Sequence, residues 1–132
     1  MTRPFSDPSL PVGRHLVAEL SGIEAALLSD PDQISTLLVA AAKASGATVL
    51  SSHMHHFGDG QGVTGVVLLA ESHMSIHTWP EYGYAAIDIF VCGACTPEAA
   101  LARVVAALRP TSSTSQVLSR GASMAPCTLV AA

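Results

Sequence analysis

Apolar and polar positions along this chain change period several times, and each change marks an element. Residues 14–22, "RHLVAELSG", alternate and end at Gly22, as a half-buried strand does. Residues 29–46, "SDPDQISTLLVAAAKASG", show helical spacing: Ser29 or Asp30 serves as cap, Pro31 suits the first turn and Gly46 ends it. Residues 47–57, "ATVLSSHMHHF", are β-branched at the start and alternate after it. "GDGQG" (58–62) is a turn, and "VTGVVLLAES" (63–72) reads as a strand buried on both faces or nearly so. "MSIHTW" (74–79) and "YAAIDIFVCG" (84–93) are two more strands around the turn "PEYG". "TPEAALARVVAALRP" (96–110) predicts a second helix, with Thr96 as cap, Pro97 in its first turn and Pro110 beyond its end, and "TSQVLSRG" (114–121) a last strand.

The order β-α-β-β-β-α-β, with short turns between strands, predicts an α+β fold. It is a two-layer α/β sandwich, a mainly antiparallel sheet with two helices on one face. Apolar strands such as "VVLLA" then leave the second sheet face needing cover, which a second copy of the protein could supply. A single domain spans 13–121, after a Pro-containing flexible lead-in (1–12) and before a tail (122–132).

Composition sharpens this picture. Apolar residues make up 49% of the chain and charged residues only 12%, about half the usual share, so an oligomer that hides surface is expected. Six Lys/Arg residues are scattered and the net charge is -4, which gives no nucleic-acid footprint. No run approaches the ~20 apolar residues of a membrane span, and the start resembles no leader, so a soluble, cytoplasmic protein is expected. Three cysteines, Cys92, Cys95 and Cys127, are a poor disulfide framework, and Cys92-Gly93-Ala94-Cys95 alone is weak as a redox or zinc motif.

Candidate chemistry gathers in "AESHMSIHTWP" (70–80), where a carboxylate, hydroxyls, two imidazoles and the single Trp follow an apolar run. By position alone Ser72 is a turn serine bonded to nearby backbone, or a residue held for chemistry. His73 and His77 share a strand face but lie ~13 Å apart, too far to ligate one metal. His53 and His55 of "HMHH" share a face and with a third ligand would form a metal site, so a His-rich metal-binding protein is one alternative. Cys92 is a buried thiol or a proton donor at a strand end. Glu81 is a solvated turn residue or an acceptor for ligand hydroxyls, and Phe57 is core or a stacking surface for a flat ring.

Taken together, "GRHLVAE" (13–19), "GVTG" (62–65) and "AESHMSIHTWPEYGYAAIDIFVCG" (70–93) closely resemble the prokaryotic S-adenosylmethionine decarboxylase proenzyme family, in that family's order, from residue 13 to about 121. The resemblance implies that the chain cuts itself between Glu71 and Ser72. Ser72 Oγ attacks the Glu71 carbonyl, the amide becomes an ester, loss of the Ser72 α-proton expels the Glu71 carboxylate to leave dehydroalanine, and hydrolysis with release of ammonia gives a pyruvoyl group at residue 72. Fragments 1–71 and 72–132 result. It assigns proton abstraction in processing to His77 and support of the intermediate to Thr64.

The same resemblance implies a Schiff base between the pyruvoyl ketone and the amine of S-adenosylmethionine, with Cys92 as proton donor after decarboxylation. No pyridoxal phosphate and no metal are expected. The product would be S-adenosylmethioninamine, the aminopropyl donor for spermidine biosynthesis. Phe57 would stack on adenine, Glu81 would bind the ribose hydroxyls with Trp79 beside it, and processed αβ protomers would form a homodimer. Where the family carries a shorter turn, often with Pro, this chain has "GDGQG", and Cys95 and Cys127 have no counterpart. The same pyruvoyl chemistry on arginine or ornithine, and a non-enzymatic paralogue, are the competing readings.

Overall fold

The computed structural model describes residues 11–122. Its order is β1 (Gly13–Ser21), α1 (Ala25–Leu28), α2 (Pro31–Ala44), β2 (Val49–His56), β3 (Val63–Leu69), β4 (Ser72–Trp79), a 3-10 turn (Pro80–Tyr82), β5 (Tyr84–Cys92), α3 (Pro97–Leu108) and β6 (Ser112–Arg120). The six strands form one antiparallel sheet in the order β2-β3-β4-β5-β1-β6. The alternating stretch 47–57 is therefore a strand as well, one more than the predicted order holds. The four-residue α1 is also additional.

Local chemistry explains the boundaries. The Asp30 carboxylate accepts from the N–H groups of Asp32 (3.0 Å) and Gln33 (3.2 Å), satisfying two of the free donors at the start of α2. Thr96 occupies the cap position of α3, but its side chain makes no capping bond; its backbone N–H instead donates to the Ser45 carbonyl (2.9 Å) and ties α3 to the end of α2. Both longer helices put their apolar stripes on the same sheet face. Ile34, Leu38, Ala41 and Ala42 of α2 and Ala100, Val104 and Leu108 of α3 are buried against Leu16, Leu20, Val63, Val67, Met74, Ile76, Ile87, Ile89 and Val91.

The other sheet face has no such layer. On β3, Val63, Val67 and Leu69 are buried toward the helices, whereas Val66 is half-buried and Leu68 is 43% exposed on the opposite side. Burial on both faces is thus not achieved within one chain. Val17, Trp79 and Leu118 lie on the same uncovered face, each more than a third exposed. Val12, the last residue of the expected lead-in, accepts from Gly93 N–H (3.1 Å) and donates to the Gly121 carbonyl (3.2 Å). The rest of that lead-in up to residue 10, and the tail from 123 with Cys127, lie outside the described residues. No helix among the described residues is long and apolar enough to cross a membrane.

Candidate active site

The β3–β4 connection is a two-residue turn, Ala70-Glu71, closed by the Leu69–Ser72 pair. Glu71 has φ 62°, a left-handed conformation that costs an L-residue with a Cβ roughly 1–2 kcal/mol. The residue before Ser72 is thus held in a strained conformation. The Ser72 hydroxyl donates to the Ala70 carbonyl (3.3 Å), the ordinary bond of a turn serine, one carbonyl short of the one it would attack. His73 pairs with Phe90 across β4 and β5, and the same register carried two residues further sets Cys92 beside Glu71 in this turn. Cys92 is half-buried, and its Sγ lies 3.2 Å from that of Cys95.

Thr64 and His77 face each other at the opposite end of the same strands. They are cross-strand partners, with Thr64 Oγ1 3.1 Å from His77 Nδ1. If Nδ1–H donates to the hydroxyl, Nε2 keeps a free lone pair, the form a proton acceptor needs. The two glycines of "GVTG" keep this end tight: a Cβ on Gly62 would meet the Thr78 carbonyl, and one on Gly65 would meet Met54. Thr64 and His77 line a shallow cavity of about 380 Å³ with His53, His55 and Ser75.

Aromatic groups cluster at this end. Trp79 stacks on Tyr84 (5.3 Å between centroids) and lies 6.2 Å from the His77 ring, while Phe57 meets His55 edge-on at 4.6 Å. Phe57 is 59% exposed, so it is not core. Glu81 is exposed in the 3-10 turn that follows β4. The Tyr84 hydroxyl donates to Glu19, and that bond, with some burial, pushes its pKa up to about 12.

The predicted residues therefore fall into two groups, and one chain does not join them. Ser72, Glu71 and Cys92 sit at the turn end; Thr64, His77, Trp79, Glu81 and Phe57 sit at the other. Ser72 and His77 are five residues apart on one extended strand, ~17 Å at 3.3 Å per residue.

Between the groups lies a network that sequence reading missed. Asp88 Oδ2 accepts from His15 Nε2 (2.7 Å) and His73 Nε2 (2.9 Å), and its Oδ1 accepts from Ser75. Burial alone would raise the Asp88 carboxyl, but the bonds from Ser75, His15 and His73 outweigh it and hold the group below its ordinary value. Arg120 bonds His15 Nδ1 (3.2 Å) and lies over the Phe90 ring. The available signal was a carboxylate in the middle of the apolar strand "AAIDIFV", on the face shared with Phe90. Among the described residues, His15, His73 and Asp88 are also the only three ligand-type side chains that converge, within 4.8 Å. With Arg120 donating to His15 Nδ1, the His15 Nε2–H donates to Asp88, and the cluster is a continuous hydrogen-bond network. His53 instead bonds Ser51 (3.2 Å), and among the described residues no third ligand joins it and His55, which does not favour the "HMHH" alternative.

An antiparallel sheet backed by helices on one side, with a strained Glu-Ser turn at one strand end and a Thr–His pair at the other, defines a two-layer α+β protein. The sequence pattern described as S-adenosylmethionine decarboxylase matches residues 14–121, and the chain belongs to that family. An S-adenosylmethionine decarboxylase proenzyme of Methanococcus maripaludis (strain S2) is 45% identical over 111 residues, covering 83% of this chain and 90% of that protein. One from Prochlorococcus marinus (strain MIT 9313) is 54% identical over 82 residues, covering 62% of this chain and 65% of that protein. The crystal structure of the adenosylmethionine decarboxylase from Aquifex aeolicus VF5 superposes with a TM-score of 0.76 at 39% identity, covering 85% of this chain and 92% of that one.

Proposed function

We propose that this chain is the precursor of a cytoplasmic, pyruvoyl-dependent S-adenosylmethionine decarboxylase, and that two copies stacked through their uncovered sheet faces complete each active site. The observation that carries the reading is the split described above. The groups that would be cut and would donate a proton are at one end of the strands, and the groups that would abstract a proton and hold substrate are at the other. A two-fold axis between the sheets, running across the strands, lays β4 of one copy over β4 of the other in reverse. Ser72 of each copy then meets the Thr64–His77 end of its mate. The same contact buries Val17, Leu68 and Trp79, which a lone chain leaves in water.

Each residue acquires a task from its position. The left-handed Glu71 presents its carbonyl at the tip of a tight turn, and departure of the Ser72 nitrogen would release that conformation. The Ser72 hydroxyl exchanges its bond to the Ala70 carbonyl for attack one residue along. His77 takes a proton through Nε2 while Thr64 fixes its ring. Residue 72 fits a pyruvoyl group because it begins a strand at an accessible sheet end. When formed, that ketone supplies the electron sink for the pair left behind by carbon dioxide. Cys92, next to the turn, supplies the proton that replaces the carboxylate. Phe57 offers a face to adenine, Glu81 an acceptor to the ribose hydroxyls, and Trp79 and Tyr84 a π-surface that attracts a sulfonium. The product is the aminopropyl donor S-adenosylmethioninamine, for spermidine biosynthesis.

The names of the relatives favour S-adenosylmethionine over arginine or ornithine. Purified protein is expected to run as fragments 1–71 and 72–132 on a denaturing gel. Incubated separately with the three carboxyl-labelled amino acids, it is expected to release carbon dioxide only from S-adenosylmethionine. Turnover by a fully intact chain would overturn the processing step, and release from arginine or ornithine alone would overturn the substrate.

A further inference from the structure

We infer that Cys92 and Cys95 form a dithiol site, open to reversible oxidation by small hydroperoxides, that closes to an intramolecular disulfide. Cys92-Gly93-Ala94-Cys95 is a β-turn closed by Cys95 N–H donating to the Cys92 carbonyl (2.9 Å). Such a turn holds its end Cα atoms within ~7 Å, a range that includes disulfide spans. The two Sγ atoms are already 3.2 Å apart. Closure to a ~2.05 Å bond asks the sulfurs to approach by roughly 1.2 Å, a movement side-chain rotation in a turn containing Gly93 can absorb. Arg14 braces the far side: its Nη2 donates to the Cys95 carbonyl (2.7 Å) and its Nη1 pairs with Glu98 in the first turn of α3 (3.3 Å). Neither bond involves sulfur, so both survive closure.

The two thiols have different parts. Cys92 is half-buried at the sheet end, whereas Cys95 is only 8% exposed. Burial, with Cys92 alongside, raises the Cys95 thiol to about 11, so Cys95 is the reluctant nucleophile and acts second. Cys92 sulfur attacks the peroxide oxygen, the O–O bond breaks, hydroxide leaves and a sulfenic acid forms. Cys95 sulfur then attacks Cys92 sulfur, the S–O bond breaks and water leaves. Two thiols give up two electrons and two protons, and one peroxide becomes two waters. A small dithiol reverses the exchange. The consequence for turnover, which rests on the role proposed for Cys92, is that closure withdraws the proton donor.

Cys127→Ala protein, left with Cys92 and Cys95, would be treated with hydrogen peroxide and read by intact mass and thiol titration. The expected result is loss of both thiols and of two hydrogens from fragment 72–132, reversed by dithiothreitol. Adding Cys95→Ala, or Cys95→Ser should Ala disturb packing, is expected to abolish the two-hydrogen loss and give oxygen adducts on Cys92. Persistent free thiols, or oxygen adducts in place of the disulfide when both cysteines are present, would overturn the inference whatever the activity. Disulfide formation with undiminished turnover would uphold the dithiol site and instead remove Cys92 as proton donor.

Discussion

In the proposed site, Ser72→Ala removes the attacking hydroxyl and His77→Ala removes the base. In a self-contained site no mixture of the two could work, because each chain would lack one part. With the site divided between copies, the mixed dimer is different. It holds one complete site, built from Ser72 of the His77→Ala chain and His77 of the Ser72→Ala chain, and one site missing both. The geometry makes the distinction sharp: ~17 Å of strand separates the two residues within a chain, against the ~3 Å reach that proton transfer requires. Random pairing of equal amounts gives about half mixed dimers, so about half of the His77→Ala chains should be cut, roughly a quarter of all chains. Turnover should recover to about a quarter of the parent level, since the complete site also carries Cys92, Phe57, Trp79 and Glu81 from the appropriate copies. The assay is co-production of the two variants with C-terminal tags of different size, then a denaturing gel and a carbon dioxide release measurement. Only the tagged 72–132 fragment of the His77→Ala chain should appear. Absence of that fragment, with mixed dimers shown present by tag co-purification, would refute the divided site. Cutting of His77→Ala alone would remove His77 from processing.

Three further outcomes follow from named contacts. Cys92→Ala should still be cut but turn over about 10²–10⁴-fold more slowly, measured as carbon dioxide release; unchanged turnover would exclude it as proton donor. Thr78→Val, made in the uncut Ser72→Ala chain, should lower unfolding free energy by about 1–3 kcal/mol in urea. The buried Thr78 hydroxyl accepts from Val63 N–H (2.8 Å) and donates to the Leu28 carbonyl (2.7 Å), and valine of similar shape leaves both unmet. Asp88, held below its ordinary 3.8, adds stability that is complete above that value and lost as pH falls through it, because the unfolded chain takes up the proton first. Urea midpoints measured from about pH 5 down to about pH 3 should therefore fall more for the Ser72→Ala chain than for the same chain carrying Asp88→Asn.

Much of the fold was legible because its signals are local. Period-two runs marked the strands, and Asp30-Pro31 and Gly46 marked the ends of α2, since capping and backbone freedom act within a few residues. Burial of "VVLLA" was misjudged because its apolar positions on the open face have no cover within the chain. The shared strand face of His73 and His77 followed from alternation alone. That His77 would meet Thr64 rather than Ser72 depended on the register of the β3–β4 hairpin, which the turn length sets. Asp88 was invisible as a hub because its partners, His15 on β1 and His73 on β4, are brought together only by the placement of β5 between β4 and β1. Thr96 shows the limit of capping rules: its position was right, but the bond that matters is its backbone link to Ser45.

The strand order has one more effect. A cut at 71–72 leaves β1, β2 and β3 on the first piece and β4, β5 and β6 on the second, and the sheet order interleaves them. β1 of the first piece is clasped between β5 and β6 of the second, and β3 stays zipped to β4. Severing the chain therefore detaches nothing, yet it changes how the molecule assembles. The whole chain folds as a first-order event, whereas the severed pieces, once denatured, must find each other again by collision. Renaturation of the cut protein should carry one more concentration-dependent step than that of its uncut parent, for which only the proposed pairing of copies is bimolecular. The knife is safe only after the weave is finished.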